Sequence, residues 1–204
     1  MSAAPKPKLT VAEYLAIERA AEFKSEFYDG VMYPLHHPDG PVGMAGASRE
    51  HNRVKENLIG ELFARFKGGP CLTFSSDQRV RLTASGMFAY PDIAVVCDPP
   101  EFATNDRDTL TNPRVIVEVL SPSTEKYDRG FKFAQYRQQA SIREYVLVSQ
   151  DEPLIERYVR QPDGTWVLTV FADPAGEFAL SSAPARVPLA DIYRGVEFPP
   201  APPR

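Results

Sequence analysis

A glutamate inside an uninterrupted apolar strand is the most chemically demanding residue of this 204-residue chain. Glu118 lies in Val115-Ile116-Val117-Glu118-Val119-Leu120, where burial of an unpaired carboxylate would cost on the order of several kcal/mol. Side chains alternate along a strand, so Ile116, Glu118 and Leu120 share one face and the three valines the other. Neither face is polar, and the acid needs a specific partner. Asp92 raises the same question at the mouth of Ile93-Ala94-Val95-Val96. If the two strands pair antiparallel with partner numbers summing to 210, Asp92 faces Glu118 and Val96 faces Arg114. Like charges placed opposite one another repel, so a cation belongs between them. Carboxylate oxygens with other positions left to water and phosphate suit Mg²⁺ better than Zn²⁺.

The elements that must position these acids are legible from periodicity. Thr10-Val11-Ala12-Glu13 has the spacing of a capping box and opens a helix to about Ala21, with Tyr14, Leu15 and Ile17 as its apolar stripe. Asp29-Gly30 between two β-prone runs predicts a hairpin. Residues 34–48, with His36 and His37, read as an exposed loop. From Ser48, Val54, Leu58, Leu62 and Phe66 recur every fourth residue, widened by Ile59 and Phe63 and stopped by Gly68-Gly69, which predicts a second helix.

Strands are expected at Cys71–Leu82, Met87–Cys97, Arg114–Leu120, Glu144–Ser149, Ile155–Arg160 and Trp166–Phe171. A third helix, about Asp128–Gln139, would turn Phe131, Ala134 or Gln135, and Gln138 inward and cross over to the strand at Glu144. The expected fold class is α/β, a mixed β-sheet flanked by helices. No repeat and no glycine-rich phosphate loop occurs, which removes the main support for a nucleotide-cofactor enzyme.

Composition sets the outer bounds. Apolar residues at 43% and charged residues at 25% fit one globular domain over 1–204, with 1–8 as a flexible arm and 197–204 as a proline-rich tail. No apolar run approaches the roughly 20 residues of a membrane helix, and the first residues lack the apolar stretch of a secretory signal, so a cytoplasmic location is expected. Cys71 and Cys97 read as two small buried side chains, with no zinc knuckle or disulfide framework. The net charge of -4 argues against a protein that coats nucleic acid nonspecifically. Only residues 114–160 carry a basic excess, eight against seven. There Arg129, Lys132, Arg137 and Arg143 could steer a polyanion or simply form a solvated face.

Glu26-x-x-Asp29-Gly30, Pro91-Asp92-x-x-Val95-Val96, Glu118-Val119-Leu120-Ser121-Pro122-Ser123-Thr124, Asp128-x-x-x-Lys132-x-x-x-Tyr136 and Glu144-Tyr145 follow one another in an order and spacing that resembles the Uma-two family of restriction-endonuclease-like proteins, within the PD-(D/E)XK nuclease superfamily. The resemblance covers about residues 9–172 and implies a restriction-endonuclease-like core. In that core Asp92 and Glu118 would hold Mg²⁺, with Mn²⁺ as a substitute, and Glu26 would complete the acidic cluster. The superfamily pattern puts a lysine two residues after the second acid, where this chain has Leu120. Similar families move that lysine to the following helix, and Lys132 is the matching position, with Lys126 as a weaker substitute.

The resulting expectation is a Mg²⁺-dependent endonuclease acting on DNA phosphodiesters, with Asp92, Glu118, Lys132 and Glu26 as its working groups. Tyr136, one turn beyond Lys132, would bond phosphate or the lysine. The alternative is a noncatalytic binding or scaffold protein that keeps the nuclease fold, favoured by Leu120 and by the acidic charge. A two-carboxylate sugar hydrolase lacks its aromatic platform. Structural readings stand beside each residue: Lys132 as half of a surface ion pair with Asp128, Glu26 as an exposed acid before the hairpin, Asp92 as a turn cap, and His51 as a core-edge histidine. A homodimer is expected from an exposed sheet edge and the apolar C-terminal strands.

Overall fold

The structure, a computed structural model, describes residues 8–35, 47–104 and 106–198. The arm before Lys8, the tail from Pro199 and the loop histidines His36 and His37 fall outside the described residues.

Helix α1 (Val11–Ala20) opens with the reciprocal capping box read from Thr10 and Glu13. Its stripe differs from expectation: Tyr14 and Glu18 are buried, while Ile17 is exposed. Tyr14 packs on Phe27 and Phe88, and its hydroxyl donates to the Ser25 carbonyl oxygen, so one aromatic anchors the helix. The hairpin β1 (Ser25–Tyr28) and β2 (Val31–Pro34) turns at Asp29 and Gly30, both with positive φ, as a two-residue turn matched to strand twist requires. Helix α2 (Arg49–Phe66) buries the predicted Val54, Leu58, Leu62 and Phe66, but Phe63 points to solvent.

The remaining strands are β3 (Leu72–Ser75), β4 (Arg79–Leu82), β5 (Met87–Ala89), β6 (Ile93–Val96), β7 (Phe102–Ala103), β8 (Asp106–Leu110), β9 (Val115–Leu120), β10 (Glu144–Ser149), β11 (Ile155–Arg160), β12 (Trp166–Phe171), β13 (Glu177–Ala179) and β14 (Arg186–Pro188). They form two six-stranded mixed sheets, ordered β2-β1-β5-β4-β8-β7 and β12-β11-β10-β9-β6-β3, plus the β13-β14 pair. The fold is therefore the expected mixed α/β class, with two sheets in place of one. Two runs read as single strands each split between the sheets: Cys71–Leu82 into β3 and β4, and Met87–Cys97 into β5 and β6. Pro91, which has no N–H for a ladder, marks the second break.

The second sheet is covered on both faces, which explains the continuous apolar run of its central strand. One face carries Val115, Val117 and Val119 against α2 and the C-terminal Phe178, Val187 and Ile192. The other carries Ile116 and Leu120 against Val80, Leu82 and Met87 of the first sheet and against Tyr136. β9 and β10 run parallel, joined by a helical crossover of α3 (Glu125–Tyr127), a π-helical turn (Asp128–Lys132) and α4 (Phe133–Tyr136). A short α5 (Leu189–Ile192) closes the described chain. No described helix is long and apolar enough to cross a membrane.

Cys71 and Cys97 do not stand as separate thiols. They form a disulfide, because β3 and β6 pair antiparallel with Leu72 opposite Val96, and the next pair outward is the two cysteines. Sequence separation of 26 residues hides a contact that the strand register makes direct.

Candidate active site

β6 and β9 pair Ile93 with Val117, Ala94 with Ile116 and Val95 with Val115, and each pair sums to the expected 210. The register brings Asp92 beside Glu118 at the strand ends. The Asp92 N–H donates to Glu118 Oε2 at 3.3 Å, and the Val119 N–H donates to Asp92 Oδ2 at 2.9 Å. Each acid is thus held by the backbone of the other's strand.

Glu118 projects on the Ile116-Leu120 face toward the crossover, and what compensates it comes from there. Lys132 Nζ donates to Glu118 Oε1 at 3.1 Å, and the Tyr136 hydroxyl donates to the same oxygen at 3.0 Å. Tyr136 therefore bonds the carboxylate rather than the lysine. The π-helical turn widens the helix between Asp128 and Lys132 and turns both inward, a device frequent at functional sites. Asp128 Oδ1 lies 3.5 Å from Lys132 Nζ, but the pair is buried rather than on the surface. Of the expected stripe of Phe131, Ala134 or Gln135, and Gln138, Gln135 is buried and Phe131 packs half-buried against the core, whereas Gln138 is exposed and Lys132 and Tyr136 take the other inward places.

Glu26, carried by β1 of the other sheet, completes the cluster at 1% exposure. It is not the exposed acid a hairpin would suggest. Its Oε2 accepts from the Tyr127 hydroxyl at 2.7 Å. Its Oε1 is 3.2 Å from Lys132 Nζ, yet the alignment is outside hydrogen-bond geometry and leaves that oxygen buried without a hydrogen-bond partner.

Two members escaped the sequence reading. His51 Nε2 is 3.3 Å from Asp92 Oδ2, while its Nδ1 is buried and unpartnered. The signal was its place on the Val54-Leu58 face of α2, where a histidine facing inward must find a polar partner. Asp128 was read only as a neighbour of Lys132, and it sits in the cluster itself. By contrast Lys126 is exposed, Arg129 is engaged by Glu125 and Glu156, and Arg137 and Arg143 point to solvent, so the basic group of this segment supplies one ammonium to the site.

The electrostatics follow from burial and from this charge imbalance. Burial pushes the Glu118 carboxyl up, and nearby Asp128, Asp92 and Glu26 add to it against the pull of Lys132, leaving it at about 8. Burial likewise raises Asp128. Burial opposes ionisation of Asp92 too, but His51 and the Val119 N–H hold it below the usual carboxylate range. Lys132 is raised despite its burial, because Glu118, Glu26 and Asp128 surround it.

Glu26, Glu118 and Asp128 surround the Lys132 ammonium, Asp92 adjoins Glu118, and Glu26 Oε1 faces the ammonium without a hydrogen bond. Among the described residues no group of three or more histidine, cysteine, aspartate or glutamate side chains is placed to hold a metal ion. Mg²⁺ needs only one or two carboxylates with water and phosphate on the rest, and the adjoining Asp92 and Glu118 fit that requirement. The cluster floors a cavity of about 640 Å³ that opens between β2, α2 and the Ser121–Thr124 loop.

A family model described as "Uma2: Putative restriction endonuclease" matches residues 11–189. The uncharacterized protein slr1290 of Synechocystis is 33% identical over 195 residues, covering 96% of each chain. The uncharacterized protein sll1609 of the same organism is 36% identical over 173 residues, 85% of this chain and 93% of that one. A crystal structure from Anabaena variabilis, titled as a "putative nuclease belonging to DUF820", aligns with a TM-score of 0.67 over 91% of this chain and 97% of that one. At 18% identity that likeness speaks for the fold alone.

Proposed function

The chain belongs to the Uma2 family, and from that premise we propose that it is an endonuclease that hydrolyses DNA phosphodiester bonds with Mg²⁺ held by Asp92 and Glu118. The observation that carries the reading is the buried excess of carboxylates over ammonium at the floor of an open cavity. Such an arrangement is costly as mere structure and is relieved by a divalent cation. Bound Mg²⁺, or Mn²⁺ in its place, would activate water and screen phosphate charge.

The chain's own groups do the rest. Val119 N–H and His51 orient Asp92, and Tyr136 fixes one oxygen of Glu118. Lys132, held protonated by its three acidic neighbours, orients the attacking water and stabilises negative charge on the phosphate in the transition state. Glu26 and Tyr127 keep the ammonium centred beside that position. DNA as substrate, a cytoplasmic location and a homodimer belong to the same proposal. The dimer is supported by apolar side chains left exposed on the edge strand β12.

The test is cleavage of plasmid and single-stranded DNA in Mg²⁺ or Mn²⁺ by the wild type and by Glu118→Ala. Removing one such group should lower the rate at least about 100-fold. Equal cleavage by both proteins would assign the activity to another site or a contaminant. Metal binding without any cleavage would favour a noncatalytic protein that keeps the fold.

A further inference from the structure

Metal-ligating and cationic groups of this site lie below the molecular surface rather than along an open cleft. Glu26, Glu118 and Lys132 are each under a tenth exposed and the Asp92 side chain is 16% exposed, and they meet solvent through the 640 Å³ cavity. That volume falls in the range of enclosed small-molecule sites, roughly 300–1,000 Å³. A phosphate must enter the cavity to reach them, and a backbone locked in a duplex carries its partner strand and stacked neighbours with it.

The cavity wall is aromatic where an unpaired base would lie. Tyr33 of β2 stands directly opposite Glu26 in the hairpin register, so both side chains share the cavity face. Its ring is 37% exposed although it lines the cavity. Across from it, Tyr127 and Phe131 stack at 5.5 Å between centroids. Bases stack on such rings without regard to sequence, but only when their faces are uncovered. On the α2 side, one turn beyond His51, Lys55 enters the cavity wall. Its ammonium donates to the Ser76 hydroxyl at 3.4 Å and acts on Asp77 without an ion pair to it among the described residues, which leaves it able to turn to a phosphate next to the reacting one.

We propose that the site accepts single-stranded DNA, or an unpaired strand end, and excludes the intact duplex, with Tyr33 stacking a base next to the reacting phosphate and Lys55 holding the adjoining backbone. This inference rests on the nuclease reading of the same site. It is a statement about which strand form fits, and binding can be read apart from turnover.

The experiment is fluorescence anisotropy with one labelled oligonucleotide, single-stranded or in its blunt duplex, in Ca²⁺ so that binding is measured without turnover, followed by cleavage of both in Mg²⁺. Wild type should bind the single strand at least about tenfold more tightly than the duplex. Tyr33→Ala should weaken single-strand binding about tenfold, a loss of the size expected for one base stack, while Tyr33→Phe retains it. Lys55→Ala should weaken binding and flatten its salt dependence. Duplex binding as tight as single-strand binding, binding of neither, duplex cleavage, or Tyr33→Ala indistinguishable from wild type would each overturn the inference. Tight single-strand binding without cleavage would uphold it and overturn the nuclease reading. Should Tyr33→Ala not fold, a loss on Tyr33→Ser matched by retention on Tyr33→Phe decides the same point.

Discussion

Lys132 Nζ and Glu118 Oε1 are 3.1 Å apart, although the lysine arrives from the π-helical turn and not from position 120, two residues along the glutamate's own strand. Leu120 occupies that strand position on the same face as Glu118, packed in the core between the sheets. The ammonium beside this carboxylate thus comes from fourteen residues further along the chain.

Lys132→Met should lower DNA cleavage by about 100-fold or more, since it removes the ammonium proposed to face the reacting phosphate. Adding Leu120→Lys returns an amine to the Glu118 face, and the double variant should recover at least about tenfold over Lys132→Met. Rates under single-turnover conditions check this, and a double variant no faster than the single one would reject the equivalence of the two positions.

His51 holds a carboxylate proposed as a metal ligand, at 3.3 Å. Loss of such an outer partner costs about 10–100-fold in metal affinity. We expect His51→Ala to weaken Mn²⁺ binding by that factor in calorimetric titration, with the melting temperature nearly unchanged. Unaltered affinity would reduce His51 to a packing residue.

Reduction of Cys71–Cys97 removes a constraint on a loop with a sequence separation of 26. The chain-entropy relation gives about 3.5 kcal/mol for a loop of this size. Denaturant unfolding with and without reductant should show a lowered midpoint, and Cys71→Ser should match the reduced wild type. A midpoint unaffected by reductant would mean that the thiols are not joined in solution, as a reducing cytoplasm would favour.

Asp106 supplies a pH prediction away from the cluster. Burial opposes its ionisation, but Thr109, Arg79 and the Asp108 N–H hold its carboxyl at about 2, below the ordinary 3.8. A lowered acid stabilises the fold fully above its unfolded value and loses that contribution as pH falls toward the folded one. The window is therefore pH 4 down to 2, and the loss about 2 kcal/mol. Asp106→Asn should lower stability at pH 6 and flatten the acid limb of the unfolding curve, and an unchanged acid limb would assign that titration to other groups.

Strand β12 ends the second sheet and carries no charged residue, while Val167 is exposed on one face and Leu168 and Val170 on the other. An edge that is apolar on both faces invites another strand. Sedimentation should find a dimer, and Leu168→Lys with Val170→Lys should convert it to monomer. A wild-type monomer at high protein concentration would end the homodimer proposal.

Local chemistry made much of the molecule legible. The capping box at Thr10, the Asp29-Gly30 turn and the α2 stripe are short-range signals, and the structure keeps all three. The β6-β9 register was readable because two acids in apolar runs admit few pairings. What escaped depended on distant partners. Pro91 signals a break in the strand but not that the two halves join different sheets, and β13 and β14 are too short for an alternating pattern. The π-helical turn shifts the face of the third helix, so a period of 3.6 residues put Gln138 inward and left Tyr136 without its proper partner. His51 and Asp128 entered the cluster through tertiary contacts that no spacing displays.

The hairpin separates two duties onto adjacent strands. β1 carries Glu26 into the acidic floor and is paired on both sides, whereas β2 carries Tyr33 and borders no further strand among the described residues. Exchanging residues on the outer strand alone would reshape what enters the cavity without moving a carboxylate. Under the proposed function, chains with the same acidic floor would differ in what they admit through a handful of positions at the rim.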